Sequence, residues 1–162
     1  MYISIMKAAS VKEIKTALEE MPHGELLALI LRLSRFKKEN KELITYHVFE
    51  AADEAAYVTS VKNEIDLQFE DINHTNLYYV KKTLRKILRL VNRYSKYSNA
   101  SQTAVELLIY FCTKIKKEEI PLTKSTALAN LYAGTLKKIR KEIDGLHEDL
   151  QYDYFKLLEK IK

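Results

Sequence analysis

Tight turns are scarce in this chain of 162 residues, which has three glycines and two prolines, well below the roughly 7% and 5% of average usage. A β-sandwich or barrel needs such residues at every reversal. Their shortage argues against those folds and for few connections between long helices. Cysteine is nearly absent as well. Cys112 alone excludes an intramolecular disulfide and any cysteine-based zinc cluster. Its place at the end of the apolar run 104–112 predicts a buried, inert thiol. No stretch approaches the roughly 18 uncharged apolar residues of a membrane span; Leu26 to Leu31 is closed by Arg32 and Arg35. The apolar start Met1 to Met6 is too short for a signal-peptide core. The Asn-x-Ser/Thr triplets at Asn73 and Asn99 matter only in an exported protein. A cytoplasmic protein without membrane association is the expectation.

What is present is globular. A composition 47% hydrophobic and 30% charged supports an ordinary apolar core rather than disorder. The length fits a single all-helical domain over 1–162, with 1–9 as an extended or disordered lead.

Apolar residues recur at helical spacing almost throughout. Ser10-Val11-Lys12-Glu13 has the form of a capping box, followed by Val11, Ile14 and Leu18. A second helix, about 24–39, is apolar on most of its surface (Leu26, Leu27, Leu29, Ile30, Leu31, Leu33, Phe36) and is expected to be central. A third, about 41–53, follows Asn40 as cap; Asp53 caps a fourth, about 54–72. Whether 41–72 forms one helix or two stays open. A fifth helix, 76–97, buries Leu77, Val80, Leu84, Ile87, Leu88 and Val91; a sixth, about 102–118, is nearly all apolar. The seventh, about 124–144, stops at Gly145, a position suited to glycine, and the last covers about 147–161. The fold class is all-α, with about seven to eight antiparallel amphipathic helices. A short HEAT-like helical array, the preferred reading, and a compact helical bundle both satisfy the short connections.

Charge is unevenly spread. Residues 1–81 carry 10 Lys and Arg against 13 Asp and Glu, and residues 82–162 carry 17 against 9, so the basic excess lies in the second half. From Ile72 through Val105 no acidic residue occurs. Within that window Lys82, Arg85, Lys86, Arg89, Arg93 and Lys96, with Lys81 at the margin, fall along one face of the fifth helix. Like charges at i,i+4 repel, and an ordinary exposed helix mixes signs. Either the acidic residues of the third and fourth helices (Glu50, Asp53, Glu54, Glu64, Asp66, Glu70, Asp71) neutralise this stripe, or it meets a phosphate backbone or an acidic protein. Tyr78, Tyr79, Tyr94 and Tyr97 flank it, as rim-packing residues or as platforms for bases. A secondary basic cluster, Lys137, Lys138 and Lys141 with Arg140, lies on the seventh helix. Lys114, Lys116 and Lys117 end the sixth, where cations suit the helix dipole.

The catalytic inventory is thin. His23, His47, His74 and His147 show no His-x-x-x-His spacing, and Glu20-x-x-His23 contains Pro22 and has no second copy. A Gly-rich phosphate loop and Gly-x-Ser-x-Gly are both missing. No catalytic residue, metal site or cofactor is expected, and the chain is read as leaning away from enzymes. The first functional expectation is a noncatalytic helical interaction protein, a scaffold or adaptor with a protein partner. The alternative is a nucleic-acid-binding module using the basic face of helix 76–97. An enzyme with a site between helices comes third.

Overall fold

Side-chain caps set where most of the helices begin. A computed structural model describes residues 7–162, so the expected lead over 1–9 lies largely outside the described residues. Ser10 accepts from the Glu13 backbone N–H while the Glu13 carboxylate accepts from the Ser10 N–H at 2.7 Å, which starts α1 (Val11–Glu19) with the expected capping box. Asp53 accepts from the Ala56 N–H at 3.0 Å and opens α4 (Glu54–Glu70). Asn76 does the same for α5 (Leu77–Ser98) through the Tyr78 N–H, and Ser125 for α7 (Thr126–Asp144). His147 caps α8 (Glu148–Lys160). Helices α2 (His23–Phe36) and α6 (Ser101–Lys117) begin without such a cap. With α3 (Lys38–Thr45), 81% of the described residues are helical and none forms a strand. The all-α class read from the sequence is the observed one.

Residues 41–72 form two α-helices, not one. Helix α3 passes into a π-helical turn, Tyr46–Glu50, in which the Ala51 N–H reaches back to the Tyr46 carbonyl at 2.9 Å. Asp53 then restarts the chain as α4. Two local expectations are corrected. Asn40 does not cap the third helix, which starts two residues earlier; its side-chain amide donates to the Leu33 carbonyl near the end of α2. Lys37, in extended conformation, is the only residue between α2 and α3. Gly145 does end α7, but with φ −88°, so the helix stops without a left-handed residue. The left-handed conformation occurs instead at Asn99 (φ 54°) after α5 and Glu119 (φ 49°) after α6. Asparagine adopts it readily, whereas glutamate does so at a cost.

The chain divides into two compact units, residues up to Thr45 and Tyr46–Lys162. In the second, α6 is the hub. It packs against α4, α5, α7 and α8, and nine of its side chains are buried, Val105, Leu107, Leu108, Phe111, Cys112 and Ile115 completely. Phe111 meets Phe69 of α4 at 6.0 Å between ring centroids. In a linear array a helix pair touches only its neighbours. One helix shared by four others makes this unit a bundle, and the preferred array reading gives way to the bundle alternative here. The first unit contains the other nearly all-apolar helix, α2, yet none of its described residues is buried. The expectation that α2 is central does not hold within that unit.

Two outcomes follow from the core and its edges. Burial pushes the Cys112 thiol up to about 12, so at pH 8 a thiol reagent should fail to label the native protein and should label it fully in denaturant. Replacing Glu119 by glycine removes the left-handed strain and should raise stability by roughly 0.5–1 kcal/mol in urea denaturation, whereas Glu119→Ala should give no gain.

Candidate nucleic-acid interface

Helix α5 is held at its C-terminal end and along its apolar side, which fixes the direction of its polar face. Val80, Leu84, Ile87 and Val91 are buried against α4 and α6. At the C-terminal end the Tyr57 hydroxyl donates to the Tyr94 carbonyl at 2.9 Å. The Ser98 hydroxyl donates to the Glu54 carboxylate, which also accepts from Tyr46 at 2.8 Å and from Thr103.

On the opposite face Lys82, Arg85, Lys86, Arg89 and Lys96 are exposed. Among the described residues no carboxylate lies within 4.0 Å of any of them. They extend over roughly 20 Å at 1.5 Å per residue. Arg93, the sixth member of the predicted stripe, is different. It is half-buried, with its guanidinium 5.4 Å from the Tyr94 ring centroid.

Four of the seven acidic groups expected to neutralise the stripe are engaged elsewhere. Asp53 caps α4. Asp66 accepts from the Tyr110 hydroxyl and pairs with Lys114 at 3.1 Å. Glu64 accepts from Gln68, and Glu54 serves the three hydroxyls. Two of the three lysines at the end of α6 are accounted for by their own neighbours: Lys114 also pairs with Glu118, and Lys116 donates to the Lys162 carbonyl.

The secondary cluster joins the first. Helix α7 packs beside α5, and the Lys138 ammonium donates to the side chain of Asn92, one turn from both Arg89 and Lys96. Lys137 and Lys141 are exposed on the adjoining turns of α7. Two basic helix faces therefore adjoin, at the roughly 8–10 Å spacing of packed helices. Arg140 turns away, over the Phe155 ring of α8 at 5.9 Å.

The four tyrosines divide sharply. Tyr97 is buried and Tyr94 half-buried, so both pack. Tyr78 and Tyr79 are 58% and 47% exposed, edge to face with centroids 5.4 Å apart. Tyr78 lies four residues before Lys82, so the pair continues the basic stripe at its N-terminal end. Helix spacing in the sequence locates all four; only the tertiary neighbours distinguish them.

The sequence reading missed Glu54 as anything but a charge. It borders a cleft of about 470 Å³ that also includes Lys62, Gln102 and Glu106. Burial raises its pKa, but the hydroxyl donors Ser98, Thr103 and Tyr46 outweigh that and hold it below 4.5. A general acid needs the opposite shift. Glu106 is likewise occupied, accepting from the Tyr154 hydroxyl at 2.9 Å with Lys62 3.7 Å away. Among the described residues no group of three or more His, Cys, Asp or Glu converges in a way that could hold a metal ion, and no helix is long and apolar enough to cross a membrane. His47 is exposed, its ring edge-on to Tyr46 at 5.2 Å.

Compared with known proteins, the chain matches no family model, no curated protein and no solved structure.

Because the folded-state pKa of Glu54 is depressed, its contribution to stability is full above about pH 4.5 and is lost as pH falls through the folded value. Glu54→Gln should cost roughly 1.5–3 kcal/mol at pH 7. The difference between wild type and variant in urea midpoints should shrink between about pH 5 and pH 3. A difference constant across that range would rule out the carboxylate charge as its source.

Proposed function

We propose that this chain is a helical interaction module whose α5–α7 face takes the phosphate backbone of a nucleic acid, single-stranded by preference. The observation that carries the reading is the row Lys82, Arg85, Lys86, Arg89 and Lys96, exposed and without a carboxylate in reach. Like charges at i,i+4 destabilise a helix, and here the burial of Val80, Leu84, Ile87 and Val91 holds them together. A polyanion relieves that repulsion and gains from releasing its counterions. Lys137 and Lys141 broaden the row on α7. The exposed pair Tyr78 and Tyr79 at its end favours single strands, whose unstacked bases offer faces to aromatic rings. Lysine and arginine heads on a regular helix spacing suit phosphates rather than base edges, so sequence selectivity is weak. The scaffold reading acquires a ligand class on this account, acting in the cytoplasm without catalysis.

Affinity for a short single strand should fall steeply with salt. Five phosphate contacts give a log–log slope of about −3 to −4 for single strands and up to about −4.5 for duplex. Exchanging Lys82, Arg85 and Arg89 for Gln should weaken binding to all sequences and make the slope about 2 to 3 units shallower. Tyr78→Ala with Tyr79→Ala should weaken single strands by roughly tenfold or more while leaving duplex binding nearly unchanged. Fluorescence anisotropy over a salt series reads both. Absence of binding to either form at low salt would sink the reading and leave an acidic protein as the partner to seek.

A further inference from the structure

The hub helix α6 is covered by its four neighbours except along one strip. Its exposed residues, Gln102, Thr113, Lys116 and Lys117, all fall within that strip, which a period of 3.6 residues brings to one side of the helix. Two adjoining clefts open onto its C-terminal half, of about 340 Å³ and about 550 Å³. Ile109 and Thr113 of α6 and Leu157 of α8 line both, so the two form one trough. Glu106 stands at its head, accepting from Tyr154 of α8 with Lys62 of α4 at 3.7 Å. From Glu106 to Lys117 the trough extends over roughly 16 Å, about three turns of helix at 1.5 Å per residue.

The trough is apolar along its floor and cationic at its foot. Ile109, Tyr154 and Ile161 are buried beneath it, and Leu157, 41% exposed, stands in it. Lys116 and Lys117 end α6 and Lys160 ends α8; all three are exposed and line the foot. Among the described residues no carboxylate side chain lies within 4.0 Å of any of them. Helices α6 and α8 run in the same direction, since Glu106 meets Tyr154 at one end while Lys116 and Lys160 share a cleft at the other. Their C-terminal ends, with the partial negative charge of each helix, therefore come together at the lysines.

These features define an occupant by its chemistry. The trough is open along one side, so an acyl chain lying in it would keep much of its surface in water. A peptide helix turns a polar side outward while its apolar side fills the trough. Ammonium groups beside an apolar floor select carboxylates, and a helix carries carboxylates best in its first turn, at the positive end of its dipole. With that turn at the lysines, such a helix runs antiparallel to α6 and α8, and the dipoles oppose. We propose that the trough between α6 and α8 docks an amphipathic helix of a partner protein whose first turn is acidic. Nothing in this docking depends on the α5–α7 face, whose residues do not line the trough.

The probe is a fluorescein-labelled three-turn peptide with three glutamates followed by leucines at i, i+3, i+4 and i+7, read by anisotropy. The full chain should bind it with a dissociation constant of roughly 10–100 µM. Leu157→Glu should weaken binding about tenfold or more, with helicity by circular dichroism unchanged. Lys117→Glu with Lys160→Glu should also weaken it by roughly tenfold, and should strengthen binding of a sister peptide with lysines in place of the glutamates. Loss of fold cannot produce that reversal. Exchanging Lys82, Arg85 and Arg89 for Gln should change the affinity by less than about twofold, which separates this docking from the proposed nucleic-acid face. A nitroxide on the N-terminus of the peptide should broaden the amide resonances of Thr113 and Lys117 more than that of Lys62. No binding at millimolar peptide would overturn the docking, as would indifference to Leu157→Glu or loss of binding in the Gln exchange. Dodecanoate bound more tightly than the peptide, with the same sensitivity to Leu157→Glu, would replace the helix by an acyl chain. A dimer of the free chain that Leu157→Glu dissolves would replace it by a second copy. Broadening centred on Lys62 would overturn the orientation.

Discussion

One carboxylate ties together the part of the molecule that follows Thr45. Glu54, the first residue of α4, accepts from hydroxyls at the π-helical turn, the last residue of α5 and the first turn of α6. The π-helical turn and the α5–α6 junction, more than 40 residues apart in the chain, therefore converge on two oxygen atoms. The hydroxyls are neutral donors, so the charge is solvated by the protein instead of being cancelled. That keeps it ionised and makes each bond charge-assisted, roughly twice the strength of a neutral one. Directionality is what the apolar core lacks: burial of Phe111 or Ile65 favours compactness but specifies rotation about a helix axis less strictly than an oriented acceptor. The Tyr57 hydroxyl on the Tyr94 carbonyl adds a second such fix on α5.

Around that pin, α6 distributes burial. Because four helices share it, the polar face of each is turned outward, and the outward faces of α5 and α7 come together at Asn92 and Lys138. The basic surface is thus a by-product of how the core is shared. Of the acidic residues on α4, Asp66 is drawn inward to α6 by Tyr110 and Lys114, which keeps that charge apart from the stripe.

Much of this was legible in the residues themselves. The caps Ser10 and Asp53, the apolar spacing of α4 to α8, the buried Cys112 and the cationic side of α5 follow from local chemistry and period. What was not legible depends on neighbours. An all-round apolar helix reads the same whether its partner lies in its own unit or elsewhere, which is why α2 was expected at a centre and is found exposed. Asn40 can cap the helix after it or the one before it, and a single extended residue, Lys37, decides for the latter. Tyr78 and Tyr97 occupy the same helix, yet rotation about its axis exposes one and buries the other. Glu54 looked like one acid among seven until three hydroxyls surrounded it.

The fixed row of cations on α5 also has a kinetic meaning. A basic tail that is disordered must be ordered as it binds, and every side chain immobilised then subtracts from affinity. On α5 the backbone is ordered by folding, so approach costs only the side-chain freedom. The field of such a row reaches about a Debye length, roughly 8 Å at physiological ionic strength, before any atom touches. An anion entering that layer is turned toward the helix and captured from a wider range of orientations. On the proposed function, several cations along one face would offer a bound strand more than one position, so that it could shift by one turn without first letting go.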